Sequence, residues 1–139
     1  MRLTGGSRIL LLLLALGAMS RAFSATPAVA AAEIRFLLDD LGASGCEFYR
    51  NGSWYGSRLA EEHLRSKYLS LGVGNHIRTA EDFIEQAATR SSVSGEPYRV
   101  RCAPAPATST NRWLRERLAR YRDPSTQGTP RSLRDVPPY

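Results

Sequence analysis

The sequence predicts a small α+β domain in which three or four helices pack on a short antiparallel sheet. Three observations predict this class. An Asn-Gly pair separates two aromatic-rich stretches, the segment 98–102 alternates apolar and basic side chains, and other segments repeat their apolar residues at helical spacing. The sheet is therefore expected to contain a hairpin and one further strand, with one disulfide joining them.

The first element of this domain is a helix. Apolar residues at positions 34, 37, 38 and 41 fall on one helical face. The pattern predicts a helix that begins at Glu33 and stops at Gly42, because the residue just past a helix often needs a positive φ. A single domain is therefore predicted over residues 33–122.

The hairpin is centred on Asn51 and Gly52. A type I′ turn needs a positive φ at both central residues, and Asn-Gly satisfies that need. Alternation predicts that Cys46 and Phe48 share one face of the first strand. Tyr98, Val100 and Cys102 are expected to face inward on the later strand.

Two helices are predicted between these strands. Ser57 is expected to cap a helix over about residues 58–71, and Thr79 to cap a shorter one, with Asp82 at its third position as an imperfect capping box, because Glu or Gln is the usual residue there. The apolar positions of the first are Ala60, Leu64, Tyr68 and Leu71, and those of the second are Phe83, Ile84, Ala87 and Ala88.

The C-terminal part is expected to be an extended connector over residues 103–110 and then a helix over 112–122. Thr110 or Asn111 is expected to cap this helix. Its apolar side consists of Trp113, Leu114, Leu118 and Tyr121. Residues 123–139 carry four prolines and no periodicity, which predicts a disordered tail.

The N-terminus has the pattern of a cleavable signal peptide over residues 1–30. Arginines precede an apolar run over residues 9–18, which is about half the length needed to span a membrane. Small residues follow, so cleavage is expected near Ala30 or Ala32. The alternative is an uncleaved membrane-anchoring helix. The pattern predicts a periplasmic or secreted protein.

The positive charge of the chain is unevenly distributed. The net charge is +6, but the first 30 residues contain three arginines and no acid, which leaves +3 for the rest. Residues 33–102 carry a net −1 and residues 103–139 a net +4. The excess of basic residues therefore lies in the N-terminal and C-terminal segments of the chain, and it does not indicate a nucleic-acid groove.

The two cysteines, Cys46 and Cys102, both belong to the predicted exported part. In an oxidising compartment such a pair most often forms a structural disulfide. A third strand beside the hairpin would bring the two together. The alternative is a reactive thiol with His63 as its base.

Catalytic and cofactor signatures are absent from the sequence. It contains no glycine-rich phosphate loop, no HExxH, no GxSxG and no CxxC. Two histidines and one cysteine pair do not make a convincing metal set. We therefore predict no catalytic residue, no metal and no cofactor.

Two polar groups are candidates for binding a ligand. The first surrounds the hairpin and second helix, and the second is a serine-rich loop whose hydroxyls and amides could hold an anion or the end of a peptide. Their members are Arg50, Tyr55, His63, Lys67 and Tyr68 in the first, and Ser91, Ser92 and Ser94 in the second. A structural hydrogen-bond network and an ordinary turn are the alternatives.

The C-terminal helix offers a third possibility. Five arginines with tryptophan and tyrosine on the apolar side are typical of an interfacial helix, so contact with a membrane surface is one interpretation. Docking of the same helix on the rest of the domain is the simpler interpretation, because a small domain needs all its apolar faces.

Several segments resemble a known family. SGCEFYRNGSWY, AEEHLRSKY and IRTAEDFIEQAATRSSVSGEPYRV, with WLRERLARYR after them, are similar to the YfeK-like family of small exported proteobacterial proteins. The resemblance covers residues 34–121. It implies a secreted or periplasmic single domain with no established activity, cofactor or partner, and no catalytic residue to transfer.

These observations favour a small binding or interaction module outside the cytoplasm. The sequence does not identify its partner, for which an envelope protein or a peptide is the candidate. A small hydrolase or thiol-dependent enzyme, using Cys46 or a serine of the 91–95 loop, is the first alternative. A protein held at the envelope surface by its arginine-rich helix is the second.

Overall fold

The computed structural model describes residues 27–72 and 76–125 and confirms the α+β class. The predicted signal peptide lies mostly outside the described residues, and so does the tail after residue 125. The helices are α1 (Pro27–Ala43), α2 (Ser57–Gly72), α3 (Ala80–Ala87) and α4 (Thr110–Arg122). The strands are β1 (Glu47–Arg50), β2 (Ser53–Gly56), β3 (Arg99–Arg101) and β4 (Thr108–Ser109).

The four strands form one antiparallel sheet in the order β2-β1-β3-β4. Asn51 and Gly52 both have positive φ, 47° and 88°, as the predicted hairpin turn requires. Phe48 lies opposite Tyr55 in β2 and opposite Val100 in β3. Phe48 and Val100 are both buried, so this face of the sheet is the inner face, on which the helices pack.

A disulfide joins Cys46 to Cys102, as predicted, with their Cα atoms 4.5 Å apart. It connects the residue before β1 to the residue after β3, and so fastens the two central strands of the sheet. No cysteine is free, since the chain contains only these two. Disulfides persist in oxidising compartments, so this bond indicates a protein that resides outside the cytoplasm.

The boundaries of α1 differ from the prediction. The helix begins at Pro27 instead of Glu33, and it continues through Gly42 to Ala43. Gly42 has no positive φ; that conformation occurs at Gly45. Gly42 is instead a point of close approach, because a Cβ there would overlap the carboxylate of Glu61 in α2.

The start of α2 also differs. Ser57 belongs to the helix, and its hydroxyl donates to the carbonyl oxygen of Gly42 at 2.9 Å instead of capping. The bond ties the start of α2 to the end of α1.

Helix α3 follows the prediction closely. Thr79 and Asp82 form a complete capping box, in which each side chain accepts from the other's backbone N–H at 3.0 Å. The four predicted core residues, Phe83, Ile84, Ala87 and Ala88, are fully buried.

The segment before α4 was predicted as a connector, but its end forms β4, which pairs with β3. The predicted cap is wrong as well. Ser109 caps α4 by accepting from the N–H of Arg112, and Thr110 is the first residue of the helix. Short strands of two residues carry too little pattern to be distinguished from a connector in sequence.

Arg122 fastens the end of α4 to two other helices. Its Nε and Nη2 donate to the two carboxylate oxygens of Glu33 in α1, at 2.7 and 2.8 Å. Its Nη1 donates to Glu81 in α3 at 2.5 Å, and this bond lowers the pKa of Glu81. Glu33 is only 4% exposed, so Arg122 neutralises a carboxylate that is nearly removed from water.

Removal of the disulfide should weaken the fold. We expect the double variant Cys46→Ala/Cys102→Ala to lose up to about 4 kcal/mol of unfolding free energy, because the bond closes a long loop in the unfolded chain. Urea denaturation of the variant and of the wild-type protein measures the difference. An unchanged midpoint would show that the bond is not formed in the wild-type protein.

Arg122→Met should destabilise the domain by about 2 kcal/mol, because it leaves Glu33 buried without its cation. The value is below that of a fully buried pair since the Arg122 side chain is 41% exposed. Arg120→Met is the control: Arg120 is exposed on the same turn, and we expect a change within about 0.5 kcal/mol. Equal losses in the two variants, measured by urea denaturation, would contradict the assigned role.

Candidate functional site

A pocket of about 150 Å³ lies between the inner face of the sheet and α2. Its walls are almost entirely apolar, and the polar groups are few. The lining residues are Phe48, Tyr49, Arg50, Tyr55, Leu59, Ala60, His63, Leu64, Tyr98 and Thr110. Leu59 is 58% exposed, unusually for a large apolar side chain. A concave apolar site with a few convergent polar groups is the usual form of a small-molecule pocket.

The register of the sheet places three lining residues in one row. Tyr49 lies opposite Arg99, and Arg99 lies opposite Ser109. One residue further along, Arg50, Tyr98 and Thr110 therefore lie side by side, and the N–H of Thr110 donates to the carbonyl oxygen of Tyr98 at 3.1 Å. Side chains alternate along a strand, so all three are on the same face as Phe48 and Val100.

His63 in α2 connects two members of this row. Its Nδ1 is 2.6 Å from Nη1 of Arg50, and its Nε2 is 3.0 Å from the hydroxyl of Tyr98. A guanidinium can only donate, so Nδ1 accepts and the imidazole proton lies on Nε2. His63 is therefore neutral in this arrangement, and both of its nitrogens are occupied.

The hydrogen-bonded chain continues beyond Tyr98. The side chain of Ser91, which is only 4% exposed, acts on the Tyr98 hydroxyl and lowers its pKa, against the effect of burial. The Ser91 oxygen in turn accepts from the N–H groups of Val93 and Ser94, at 3.2 and 3.3 Å. The chain from Arg50 to the 91–95 loop thus holds one wall of the pocket in place.

Lys67 lies one turn of α2 beyond His63. Its Nζ donates to the carbonyl oxygen of Arg90 at 2.9 Å and lies 5.1 Å from the centre of the Tyr98 ring. The Arg50 guanidinium is 4.9 Å from the centre of the Tyr55 ring. Neither cation has a carboxylate partner in the described residues, whereas most arginines elsewhere in the described domain do.

The crowding of positive charge affects the titration of this site. Burial, with help from Arg50 and Lys67, lowers the pKa of His63. Burial and the charge of Arg50 lower the pKa of Lys67. Burial raises the pKa of the Tyr98 hydroxyl. Burial, which disfavours the charged form, is the main cause of all three shifts; the neighbouring cations reinforce it for His63 and Lys67 and oppose it for Tyr98.

The structure places the predicted site residues in different surroundings. Arg50, Tyr55 and His63 line the pocket, and Lys67 lies beside it. Tyr68 does not line it, because its ring packs edge to face on Phe83 in the core, 5.7 Å away.

The serine loop is largely occupied by its own hydrogen bonds. Ser91 holds the loop amides as described above, and the hydroxyl of Ser94 donates to the side-chain oxygen of Asn51 at 2.6 Å. Ser92 is exposed. None of the three serines lines the pocket. The loop supports the pocket wall through Tyr98.

Seven lining residues were not predicted as site residues: Phe48, Tyr49, Leu59, Ala60, Leu64, Tyr98 and Thr110. Two of them belong to the row beside Arg50. Tyr98 was predicted to face inward, but only as a core residue, and Thr110 was considered only as a helix cap. The signal for Tyr98 is its position two residues before Val100 on the inner face. Thr110 carries no such signal, because its place beside Tyr98 depends on the pairing of β4.

The arginine-rich helix has no free apolar face. Trp113, Leu114 and Leu118 are buried, and the Tyr121 ring stacks on Phe36 at 4.4 Å. Four of its arginines pair with acids: Arg112 with Glu116, Arg115 with Glu85, Arg117 with Asp40, and Arg122 with Glu33 and Glu81. The helix is thus docked on the domain.

Residues 27–72 and 76–125 contain no cluster of three or more His, Cys, Asp or Glu side chains suited to a metal ion. Over the same residues, no helix is both long and apolar enough to cross a membrane.

Comparison with known proteins places these residues within one family. The profile of the family described as "Family of unknown function (DUF5329)" matches residues 28–122. A segment of 52 residues is 46% identical to the uncharacterized protein YfeK of Salmonella typhimurium and covers 37% of this chain. The match spans 41% of the length of YfeK. No solved structure shows a significant match.

His63 should make the stability of the domain depend on pH. Its pKa is lower in the folded protein than the ordinary 6.5, so the folded state binds fewer protons than the unfolded chain below that value. We therefore expect the unfolding free energy to fall as the pH drops from about 7 toward 5. Urea denaturation across this range measures the slope.

His63→Gln should flatten the slope, because glutamine does not titrate. His76→Gln is the matched control, since His76 is exposed and does not line the pocket. If the wild-type protein and His63→Gln have the same slope between pH 7 and 5, the assigned neutral state of His63 is wrong.

Proposed function

The chain belongs to this family of unknown function, and from the geometry of its pocket we propose that it is a binding module for small organic anions. The ligand would place an apolar group of about the size of one ring in the pocket and an anionic group against Arg50. The observation that carries the proposal is the pairing of an apolar pocket with cations that have no carboxylate partner in the described residues.

The size of the pocket limits the apolar group. An engineered cavity of about 150 Å³ lined by apolar side chains accommodates benzene. The present pocket has the same volume and walls of leucine, phenylalanine and tyrosine. A single aromatic ring, or a branched aliphatic group of that size, therefore fills the pocket, whereas two fused rings would extend beyond it.

The position of Arg50 explains the preference for an anion. One of its five N–H donors is used by His63, and its Cζ lies 4.9 Å from the centre of the Tyr55 ring, so other donors are left for a ligand. Hydrogen bonds from a guanidinium to a carboxylate are about twice as strong as neutral ones. Lys67 adds a second positive charge nearby. Burial, and to a lesser extent the charge of Arg50, lowers the pKa of Lys67, and a bound anion would offset the contribution of Arg50.

Binding is favoured over catalysis for two reasons. Both nitrogens of His63 are engaged with Arg50 and Tyr98, so neither is free to act as a general base. Cys46 is held in the disulfide and has no thiolate to offer. We also propose that the protein works in the periplasm or outside the cell, after removal of its N-terminal segment; the disulfide supports this location.

Phenylacetate and its neutral analogue phenylacetamide test the proposal. We expect phenylacetate to bind and to raise the melting temperature, and phenylacetamide to bind at least about tenfold more weakly, because it lacks the charge that Arg50 contacts. Isothermal titration calorimetry measures both dissociation constants. Arg50→Gln should weaken phenylacetate binding by a similar factor.

Arg120→Gln is the matched control, since Arg120 is exposed and lies outside the pocket. 1-Naphthylacetate serves as the size control and is expected to bind more weakly than phenylacetate. If phenylacetamide binds as tightly as phenylacetate, the anionic part of the proposal is wrong. If neither binds, the pocket does not have the proposed function.

A further inference from the structure

The pocket opens toward one edge of the sheet. Its lining residues differ in exposure from one side to the other: Tyr98 and Thr110, on the side of β3 and β4, are buried, whereas Tyr55 in β2 and Leu59 in α2 are not. Leu59, which is 58% exposed, therefore lies at the mouth of the pocket. Strand β2 is at the end of the strand order β2-β1-β3-β4, so the mouth lies beside an edge strand.

The edge of β2 carries backbone groups that no described strand satisfies. Arg50 and Ser53 face each other beside the hairpin turn, and in a two-residue hairpin this pair exchanges both backbone hydrogen bonds. Bonded and non-bonded pairs alternate along an antiparallel ladder, so the next pair, Tyr49 and Trp54, is not hydrogen-bonded. The N–H and C=O of Trp54 therefore point away from β1, toward the free edge.

Strand β2 lacks the usual protection of an edge strand. Charged side chains, proline and bulges commonly prevent an edge from pairing with another chain. The sequence of β2, SWYG, has no charged residue and no proline, and its register with β1 is regular. The strand has four residues, so a partner of about the same length is enough to cover it. The edge is therefore open to a short extended peptide.

The cation of the pocket lies within reach of this edge. The Cζ of Arg50 is 4.9 Å from the centre of the Tyr55 ring, so the guanidinium extends from β1 toward β2. A strand added to β2 lies two strand spacings, about 10 Å, from the backbone of β1. If the added strand is antiparallel to β2, its carboxyl end lies at the hairpin turn, where Arg50 is opposite Ser53. The carboxylate and the guanidinium then face each other across the small side chain of Ser53.

We propose that the ligand is the carboxyl end of an extended peptide, which adds to the free edge of β2 and places its last side chain in the pocket. This inference rests on the proposed function and narrows the ligand to one class. The last residue of a peptide carries a side chain and a carboxylate on the same Cα, so it supplies both the apolar and the anionic group. In recognition by strand addition, backbone hydrogen bonds give affinity and side-chain pockets give specificity.

The register of the added strand follows from these positions. The last residue lies opposite Ser53 and turns its side chain to the inner face, because residues that face each other across two strands share one side of the sheet. The residue before it lies opposite Trp54, and the two exchange both backbone hydrogen bonds. Alternate N–H groups of the peptide therefore point to β2, and the others point away from it.

Isothermal titration calorimetry with acetyl-Thr-Val-Thr-Phe and with 3-phenylpropanoate tests the inference. The second compound has the ring and the carboxylate of the terminal phenylalanine but no peptide backbone. We expect the tetrapeptide to bind at least about tenfold more tightly, since its pairing with Trp54 adds two hydrogen bonds. The tetrapeptide with a C-terminal amide should bind at least about tenfold more weakly than the free acid, because it has no anionic group for Arg50.

Methylation of single backbone nitrogens in the tetrapeptide tests the pairing itself. N-methylation of the third residue removes the N–H that donates to the carbonyl oxygen of Trp54, and it should abolish the advantage of the tetrapeptide over 3-phenylpropanoate. N-methylation of the second residue is the matched control, because this N–H points away from β2, and the advantage should remain.

Trp54→Pro makes the same test on the protein. Proline removes the backbone N–H, and an edge strand tolerates it where that N–H points away from the ladder. Trp54→Thr is the control, because it loses the ring but keeps the N–H. We expect the advantage of the tetrapeptide to disappear in Trp54→Pro and to remain in Trp54→Thr. In the wild-type protein, hydrogen exchange of the Trp54 amide should slow when the tetrapeptide binds, but not when 3-phenylpropanoate binds.

The outcomes separate this inference from the function on which it rests. If 3-phenylpropanoate binds and the tetrapeptide binds no more tightly, the inference is overturned and the anion-binding function stands. If the two N-methylated peptides bind equally well, the peptide does not pair with β2 and the inference is also overturned. If phenylacetate, 3-phenylpropanoate and the tetrapeptide all fail to bind, both proposals are overturned.

Discussion

The pairing of β1 with β3, fastened by the disulfide between Cys46 and Cys102, is the constraint on which the site depends. These strands come from distant parts of the chain, and their register brings Arg50 beside Tyr98. Strand β4 extends the row to Thr110, and α2 covers it with His63. A shift of one residue between β1 and β3 would turn the side chains of the shifted strand to the opposite face. The register that the disulfide fixes is therefore the register that forms the pocket.

The charge distribution of the domain has two distinct patterns. The arginines of α4 meet carboxylates of α1 and α3, and Arg122 neutralises the buried Glu33 through two hydrogen bonds. Around the pocket, Arg50 and Lys67 instead face aromatic rings and a neutral histidine. The first pattern fastens helices together. In the second pattern, cations lie near an apolar cavity and have no carboxylate partner among the described residues. Arrangements that do not stabilise the fold are expected at functional sites.

Much of the fold could be predicted because its signals are local. Asn51-Gly52 defines the hairpin turn, Thr79 and Asp82 define the start of α3, and residues 98–102 alternate as a strand must. The predictions failed where a neighbouring element decides the outcome. Gly42 was interpreted as a helix stop but serves for close contact with Glu61, and Ser57 bonds to α1 instead of capping α2. Two-residue β4 exists only because β3 lies beside it.

The candidate site shows the same division. The sequence by itself determined the four helices, the hairpin, the inner face of the strand at residues 98–102, the cysteine pair and the neighbourhood of Arg50, His63 and Lys67, because these follow from turn chemistry and from periods of two and 3.6 residues. Tyr68 was predicted both on the apolar face of α2 and as a site residue, and only the tertiary structure decided for its packing on the core; it also decided that Ser91 interacts with the Tyr98 hydroxyl. The pairing of β4 placed Thr110 beside Tyr98 in the pocket wall. Strand register and helix packing join residues far apart in the chain, and no local pattern encodes that proximity.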